Sequence, residues 1–297
     1  MREMTFELVA GPYQGATGGL AWDGKHMLFS AVQEERIYKF DPATGQVSGF
    51  RRYTGRTNGI AIGANGSVYG AQEGGRRVIE FKPDGTTVQT SDQLEGQYHN
   101  QPTDLAVDSR GRVWIADAFS TTPPYGPPIY PFLDHASVLR LERDAGNAWM
   151  LKRVTSDTQG VRAIALSPDE KTLYVAEGDA DREAGPRELR AYPVQADGSV
   201  GKPRVLLGLG SSDRGIEGLC VDSEGKVIAV GGSSASGAGA MIYVLSPAGE
   251  VIHKQAAPAD MPMRVAFGDV DLTSLYLTTG GGHVYRATNT GRKGVKR

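Results

Sequence analysis

Gly18-Gly-Leu-Ala-Trp22, Asn58-Gly-Ile-Ala-Ile62, Thr103-Asp-Leu-Ala-Val107, Arg162-Ala-Ile-Ala-Leu166, Glu217-Gly-Leu-Cys-Val221 and Met263-Arg-Val-Ala-Phe267 are six versions of one phrase. Each is a short apolar run led by a residue that the pattern leaves free. The runs recur every 40 to 60 residues, roughly, with strand-like content between them, which is the spacing of β-propeller blades. A propeller gathers the starts of its innermost strands around one axial channel. The free positions then form a ring, although they are far apart in sequence.

The intervening segments support this reading. Asp41-Pro-Ala-Thr-Gly45, Pro83-Asp-Gly85, Asp108-Ser-Arg-Gly111, Asp222-Ser-Glu-Gly225 and Pro247-Ala-Gly249 carry hairpin chemistry. In these turns glycine supplies positive φ, and Asp bonds the backbone locally. Beside them lie β-rich runs such as Arg112-Val-Trp-Ile-Ala116 and Ser274-Leu-Tyr-Leu-Thr278. No segment shows sustained helical periodicity. The expected fold is all-β, a six-bladed β-propeller closed by the N-terminal strand, with residues 1–297 as a single domain. The sixth repeat runs out after Gly282-His-Val-Tyr-Arg286, and Thr5-Phe-Glu-Leu-Val-Ala10 can supply its outer strand. Such closure leaves no unpaired edge.

Two insertions interrupt the pattern: residues 119–136, rich in proline and aromatics, and residues 178–188, rich in charge. The first reads as a stiff lid. The basic end, residues 288–297, reads as a solvated tail rather than a binding arm.

The formal charge of −2 sets up no field that would recruit nucleic acid or an anionic membrane. No apolar run is long enough to span a bilayer, and the first residues lack a secretory apolar region. The single cysteine, Cys220, excludes an internal disulfide and fits a reducing compartment. A cytoplasmic protein is expected.

Several stretches together resemble the gluconolactonase / senescence marker protein / luciferin-regenerating family. They are Ile37-Tyr-Lys-Phe-Asp-Pro-Ala-Thr-Gly45, Arg56-Thr-Asn-Gly-Ile-Ala61, Gly74-Gly-Arg-Arg-Val78, Asn100-Gln-Pro-Thr-Asp-Leu-Ala-Val-Asp108, Pro123-Pro-Tyr-Gly126, Ser167-Pro-Asp-Glu-Lys-Thr-Leu-Tyr-Val-Ala176 and Ala266-Phe-Gly268. The resemblance covers nearly the whole chain. It implies a six-bladed propeller and a metal-dependent lactonase. It also implies a divalent cation, often calcium or zinc, held at the channel centre by a Glu, two Asn and an Asp. The Asp is implied to take part in proton transfer.

Here the chain departs from the family. The positions implied to ligate the metal carry Gly18, Thr103, Arg162 and Glu217, with Asp104 kept beside Thr103. A hard divalent cation needs several oxygen ligands with carboxylate charge among them. A guanidinium has no lone pair to give and repels a cation. The expectation is therefore no metal and no other cofactor, with a calcium or zinc ion as the alternative.

The ring then offers acid/base chemistry. Glu217 is the candidate general base or acid, and Arg162 the candidate electrophile for charge that develops during reaction. Asn58, Thr103, Asp104 and Arg264 are candidate substrate contacts, with Met263 competing with Arg264 for the ring position. Gly18 is expected to leave room for substrate. His99 precedes a ring position. Tyr125, Tyr130 and His135 in the insertion are further candidates for contact with substrate. The guanidinium groups and the insertion's aromatics point to a carboxylate-bearing or aromatic small molecule. The expected function is a lactonase-like hydrolase acting on a small lactone or related carbonyl compound. Its alternatives are a metal-free cyclase, isomerase or lyase using the same two residues, and a non-catalytic binding module whose channel is plugged by an Arg162–Glu217 salt bridge.

Overall fold

A computed structural model describes residues 3–119, 130–178, 185–210 and 213–296. Among them, six four-stranded antiparallel sheets follow one another along the chain, with a two-stranded ladder at Gln93–Leu94 and Gln97–Tyr98. This is the six-bladed propeller expected from the repeats. The innermost strands are Thr17–Trp22, Thr57–Ile62, Gln101–Val107, Val161–Leu166, Ile216–Val221 and Pro262–Gly268. Each contains one of the six quoted phrases. They pack around the channel, each against the next blade's inner strand, and Thr17–Trp22 meets Pro262–Gly268 to close the ring.

Turn chemistry sets the hairpins. Asp108 Oδ1 accepts from the amides of Arg110 at 3.0 Å and Arg112 at 2.9 Å. Asp222 repeats the arrangement with Glu224 and Lys226. Between turns, alternating residues bury toward one neighbouring blade and then the other. Between the third and fourth blades, Trp114, Val138, Ile164, Leu166, Val175 and Tyr192 form one such layer, all nearly inaccessible to water. Each large apolar side chain buried there contributes about 1.5–3 kcal/mol.

The sixth blade closes as expected. Glu7–Ala10 pairs antiparallel with Val284–Ala287, with Glu7 opposite Arg286 and Leu8 opposite Tyr285. Just before it, the Met4 amide donates to Gln255 Oε1 at 2.8 Å, and Gln255 Nε2 donates back to the Met4 carbonyl at 3.0 Å.

The basic end departs from the expected solvated tail. Arg292 is 9% exposed and donates from Nη1 to Asp222 Oδ2 at 2.9 Å. The Ser223 amide bonds the Lys293 carbonyl at 2.7 Å, and the Gly294 amide bonds that of Leu272 at 2.8 Å. Asp222 is buried, so its charge needs a buried partner, and Arg292 supplies one.

Candidate functional site

All six inner strands break register at the same place. The shifts fall between Thr17 and Leu20, Thr57 and Ile60, Pro102 and Asp104, Val161 and Ala163, Ile216 and Gly218, and Pro262 and Arg264. Each free position sits in one of these bulges. A bulged residue is left out of the ladder, and its side chain is re-aimed. Asn58, Thr103, Arg162, Glu217 and Met263 accordingly line one pocket of about 270 Å³, together with Arg56, Glu73, Gln101 and Arg264.

Gly18 holds the sixth bulge but does not leave room for a ligand. A Cβ placed there would lie 2.7 Å from Ser30 Oγ and 2.8 Å from the Asn58 carbonyl. Ser30 Oγ donates to that carbonyl at 2.6 Å, so protein already fills the space. The glycine is needed for the close approach of two inner strands.

Glu217 is 3% exposed, and its Oε1 lies 3.1 Å from Arg162 Nη2 and 3.1 Å from Arg214 Nε. Among the described residues its Oε2 makes no hydrogen bond. Burial pushes the carboxyl up, but the guanidinium groups of Arg162, Arg214 and Arg264 outweigh it and hold the group below the usual glutamate range. Glu217 is therefore ionised at neutral pH.

Arg264 lies one residue beyond its bulge and crosses the channel. Its Nη1 donates to the carbonyls of Glu217 and Met263, and its Nη2 to the Thr103 carbonyl at 2.8 Å. Its Nε lies 3.6 Å from Asp104 Oδ1. Asp104 Oδ2 accepts from the Ile164 amide at 3.1 Å. Burial nevertheless leaves the Asp104 carboxyl above its usual range, against the pull of Arg264 and the backbone amides of Ile164 and Leu105. Asp104 is not among the residues lining the ring pocket; it and Arg264 line a larger cavity, of about 620 Å³, on the opposite side of the hub.

On the pocket's other wall, Arg56 and Glu73 were not among the candidates read from sequence. Arg56 donates to Glu73 Oε1 from Nε at 3.2 Å and from Nη2 at 2.9 Å. Asn58 Nδ2 donates to Glu73 Oε2 at 3.1 Å, and its Oδ1 lies 3.4 Å from Arg264 Nη2. Thr103 Oγ1 donates to the Arg162 carbonyl at 3.1 Å and so ties two bulges together.

The remaining candidates lie away from this pocket. His99 is fully buried, with Nδ1 3.4 Å from Asp117 Oδ1. Tyr130 is exposed, and its ring stacks on Tyr98 with centroids 4.6 Å apart. His135 lies 3.1 Å from Asp134, which Arg153 also engages at 2.8 Å. Tyr125 is outside the described residues, as is most of the first insertion. Its residues 130–136 are fastened to the propeller. Arg76 donates to the carbonyls of His99, Tyr130 and Pro131, and Asn100 Oδ1 accepts from the Leu133 amide at 2.7 Å.

Among the described residues, no three or more His, Cys, Asp or Glu side chains gather where they could hold a metal ion. No described helix is long and apolar enough to cross a membrane.

The model of the SMP-30/Gluconolactonase/LRE-like region matches residues 16–281. The chain is 28% identical over 275 residues to a gluconolactonase of Zymomonas mobilis subsp. mobilis, covering 83% of this chain and 70% of that protein. It is 24% identical over 259 residues to a 6-deoxy-6-sulfogluconolactonase of Pseudomonas putida, covering 84% and 80%. A solved gluconolactonase structure from Xanthomonas campestris superposes with a TM-score of 0.79 at 23% identity, over 96% of this chain and 89% of that one. A luciferin-regenerating enzyme superposes at 0.73 with 20% identity, over 99% and 100%. These two superpositions show the fold.

Proposed function

The chain belongs to the SMP-30/gluconolactonase/LRE-like family, and from that premise we propose that it hydrolyses a small lactone in the ring pocket without the family's cation. Relatives named as lactonases support the reaction class. The observation that carries the mechanism is Glu217, with one carboxylate oxygen 3.1 Å from each of two guanidinium groups and the other making no hydrogen bond among the described residues.

The donor set does not suit a divalent cation. Of the implied ligand positions, Gly18 has no side chain and no space for one. Arg162 brings positive charge. Thr103 brings only a hydroxyl, which already donates to the Arg162 carbonyl. Glu217 remains as a lone carboxylate, and it faces arginines. A hard cation would gain too little here to offset the loss of its water. No step of the mechanism passes through a metal.

Glu217 Oε2 takes a proton from a water molecule as that water's oxygen bonds to the lactone carbonyl carbon. The carbonyl oxygen becomes negative, and the Arg162 guanidinium stabilises it. The ring C–O bond then breaks, and its oxygen leaves with the proton held by Glu217. The product is the open hydroxy acid, with base and guanidinium restored.

A panel of sugar and alkyl lactones, assayed with and without a chelator, tests this. Turnover of at least one lactone should persist when divalent ions are removed. Glu217→Gln and Arg162→Ala should each lower kcat/KM by about a hundredfold or more. Loss of turnover on chelation, restored by calcium or zinc, would reinstate the cation. An unimpaired Glu217→Gln enzyme would remove the base.

A further inference from the structure

The larger cavity, of about 620 Å³, lies outside the pocket of the proposed hydrolysis and has the make-up of a small-molecule site. The fourth residue of every inner-strand phrase lines it: Ala21, Ala61, Ala106, Ala165, Cys220 and Ala266. Small side chains at these positions keep the space open. The third residue of each phrase, always Leu, Ile or Val, lines it too and makes the walls apolar. Water against such walls finds few polar partners, so an apolar molecule displaces it at a gain.

Among the described residues that line it, charge is confined to two places. Asp23 and Lys296 are exposed at the mouth, and Asp104 and Arg264 are buried at the inner end, 8% and 4% exposed. Arg264 commits its Nη groups to Asn58 and to the carbonyls of Glu217, Met263 and Thr103, whereas its Nε is buried and makes no hydrogen bond. That Nε lies 3.6 Å from Asp104 Oδ1, and Asp104 lines this cavity and not the ring pocket. The amides of Ile164 and Leu105 hold the Asp104 carboxylate from the strand side, and a carboxylate has lone pairs for further donors. An unused donor and an acceptor thus stand side by side at the inner end of an apolar chamber.

We propose that this cavity is a second binding site, for a neutral, largely apolar small molecule that carries a carboxamide. The amide carbonyl accepts from Arg264 Nε, the amide N–H donates to Asp104 Oδ1, and the apolar body lies along the walls. The head is neutral because the two partners carry one charge of each sign. A carboxylate head would face Asp104 and an ammonium head would face Arg264, in each case a like charge away from water. The site does not rest on the chemistry of the ring pocket.

The experiment is isothermal titration calorimetry of the full-length protein with octanamide and with octanoate, at about pH 8, where octanoate is ionised. The two probes share an apolar chain and differ in the head. Octanamide should bind about tenfold tighter or better. In Asp104→Asn the side-chain oxygen can keep the Ile164 amide, and Nδ2 then turns a second donor to the cavity. The preference should reverse, with octanoate about tenfold tighter. Ala106→Leu, which fills part of the chamber, should weaken octanamide by about tenfold or more with the circular dichroism spectrum unchanged. No binding of octanamide at millimolar concentration, octanoate bound as tightly by the native protein, or an unreversed preference in Asp104→Asn would overturn the assignment. So would an Ala106→Leu protein that binds octanamide as before, which would place it elsewhere. Lactone turnover has no part in these readouts, so the hydrolase reading stands or falls apart from them.

Discussion

A carboxylate flanked by three guanidinium groups stays ionised further into acid than a free one. Glu217 is in that state, because burial raises its affinity for protons less than Arg162, Arg214 and Arg264 lower it. The active form is the anion, so kcat/KM of the proposed hydrolysis should stay level as pH falls to about 5. It should decline only below the ordinary glutamate value of 4.5. A pH–rate profile falling between 6 and 7, roughly, would mean that another group supplies the base. The stability linkage has the same sign. A lowered folded-state value adds stability above the ordinary value, and that stability is lost as the group protonates in acid. The ring residues were legible in sequence because each breaks an otherwise regular apolar phrase, and each such break is a bulge. Arg214 and Glu73 were not legible, because no pattern marks them and only the blades' arrangement brings them to the ring. Gly18 was misread for a related reason. A missing side chain looks like space in sequence, whereas here it marks two backbones in contact.

At the scale of elements, the chain ends do what their composition only half suggested. The N-terminal strand was legible because the sixth repeat is one strand short and Thr5-Phe-Glu-Leu-Val-Ala10 has β character. Its removal would expose the edge of Val284–Ala287 and take away the buried Met4 and Ala10 side chains. Deleting residues 1–11 should lower Tm by about 5–10 °C, read by calorimetry or circular dichroism. An unaltered Tm would mean that the ring closes without this strand. The basic end was read by charge alone, and charge does not reveal a buried partner. Arg292 finds one in Asp222, across 70 residues of chain. Of the first insertion, which reads as a stiff lid, residues 120–129 lie outside the described residues, and residues 130–136 are held by Arg76 and Asn100.

For the whole molecule, the hub is a wall as well as a site. Arg264 separates the pocket of about 270 Å³ from the larger cavity of about 620 Å³ behind it. From the sixth blade it reaches Asn58 in the second, Thr103 and Asp104 in the third and Glu217 in the fifth. The propeller is thus braced across its axis as well as around its rim. The brace depends on protonation. Asp104 has a raised folded-state value, so its own contribution favours the fold at low pH and is lost as pH rises through that value. Arg264 offsets that loss. In Arg264→Ala, Asp104 would be a buried carboxyl with no guanidinium beside it, which costs about 3–5 kcal/mol at pH 7. The cost should shrink toward pH 5, roughly, as Asp104 takes up a proton. The Arg264→Ala, Asp104→Asn double variant should recover much of the stability at pH 7, because it removes the stranded charge along with its partner. Urea unfolding of the three proteins at both pH values tests this. An equal loss at the two pH values, or no recovery in the double variant, would show that Arg264 braces the hub through its carbonyl contacts alone.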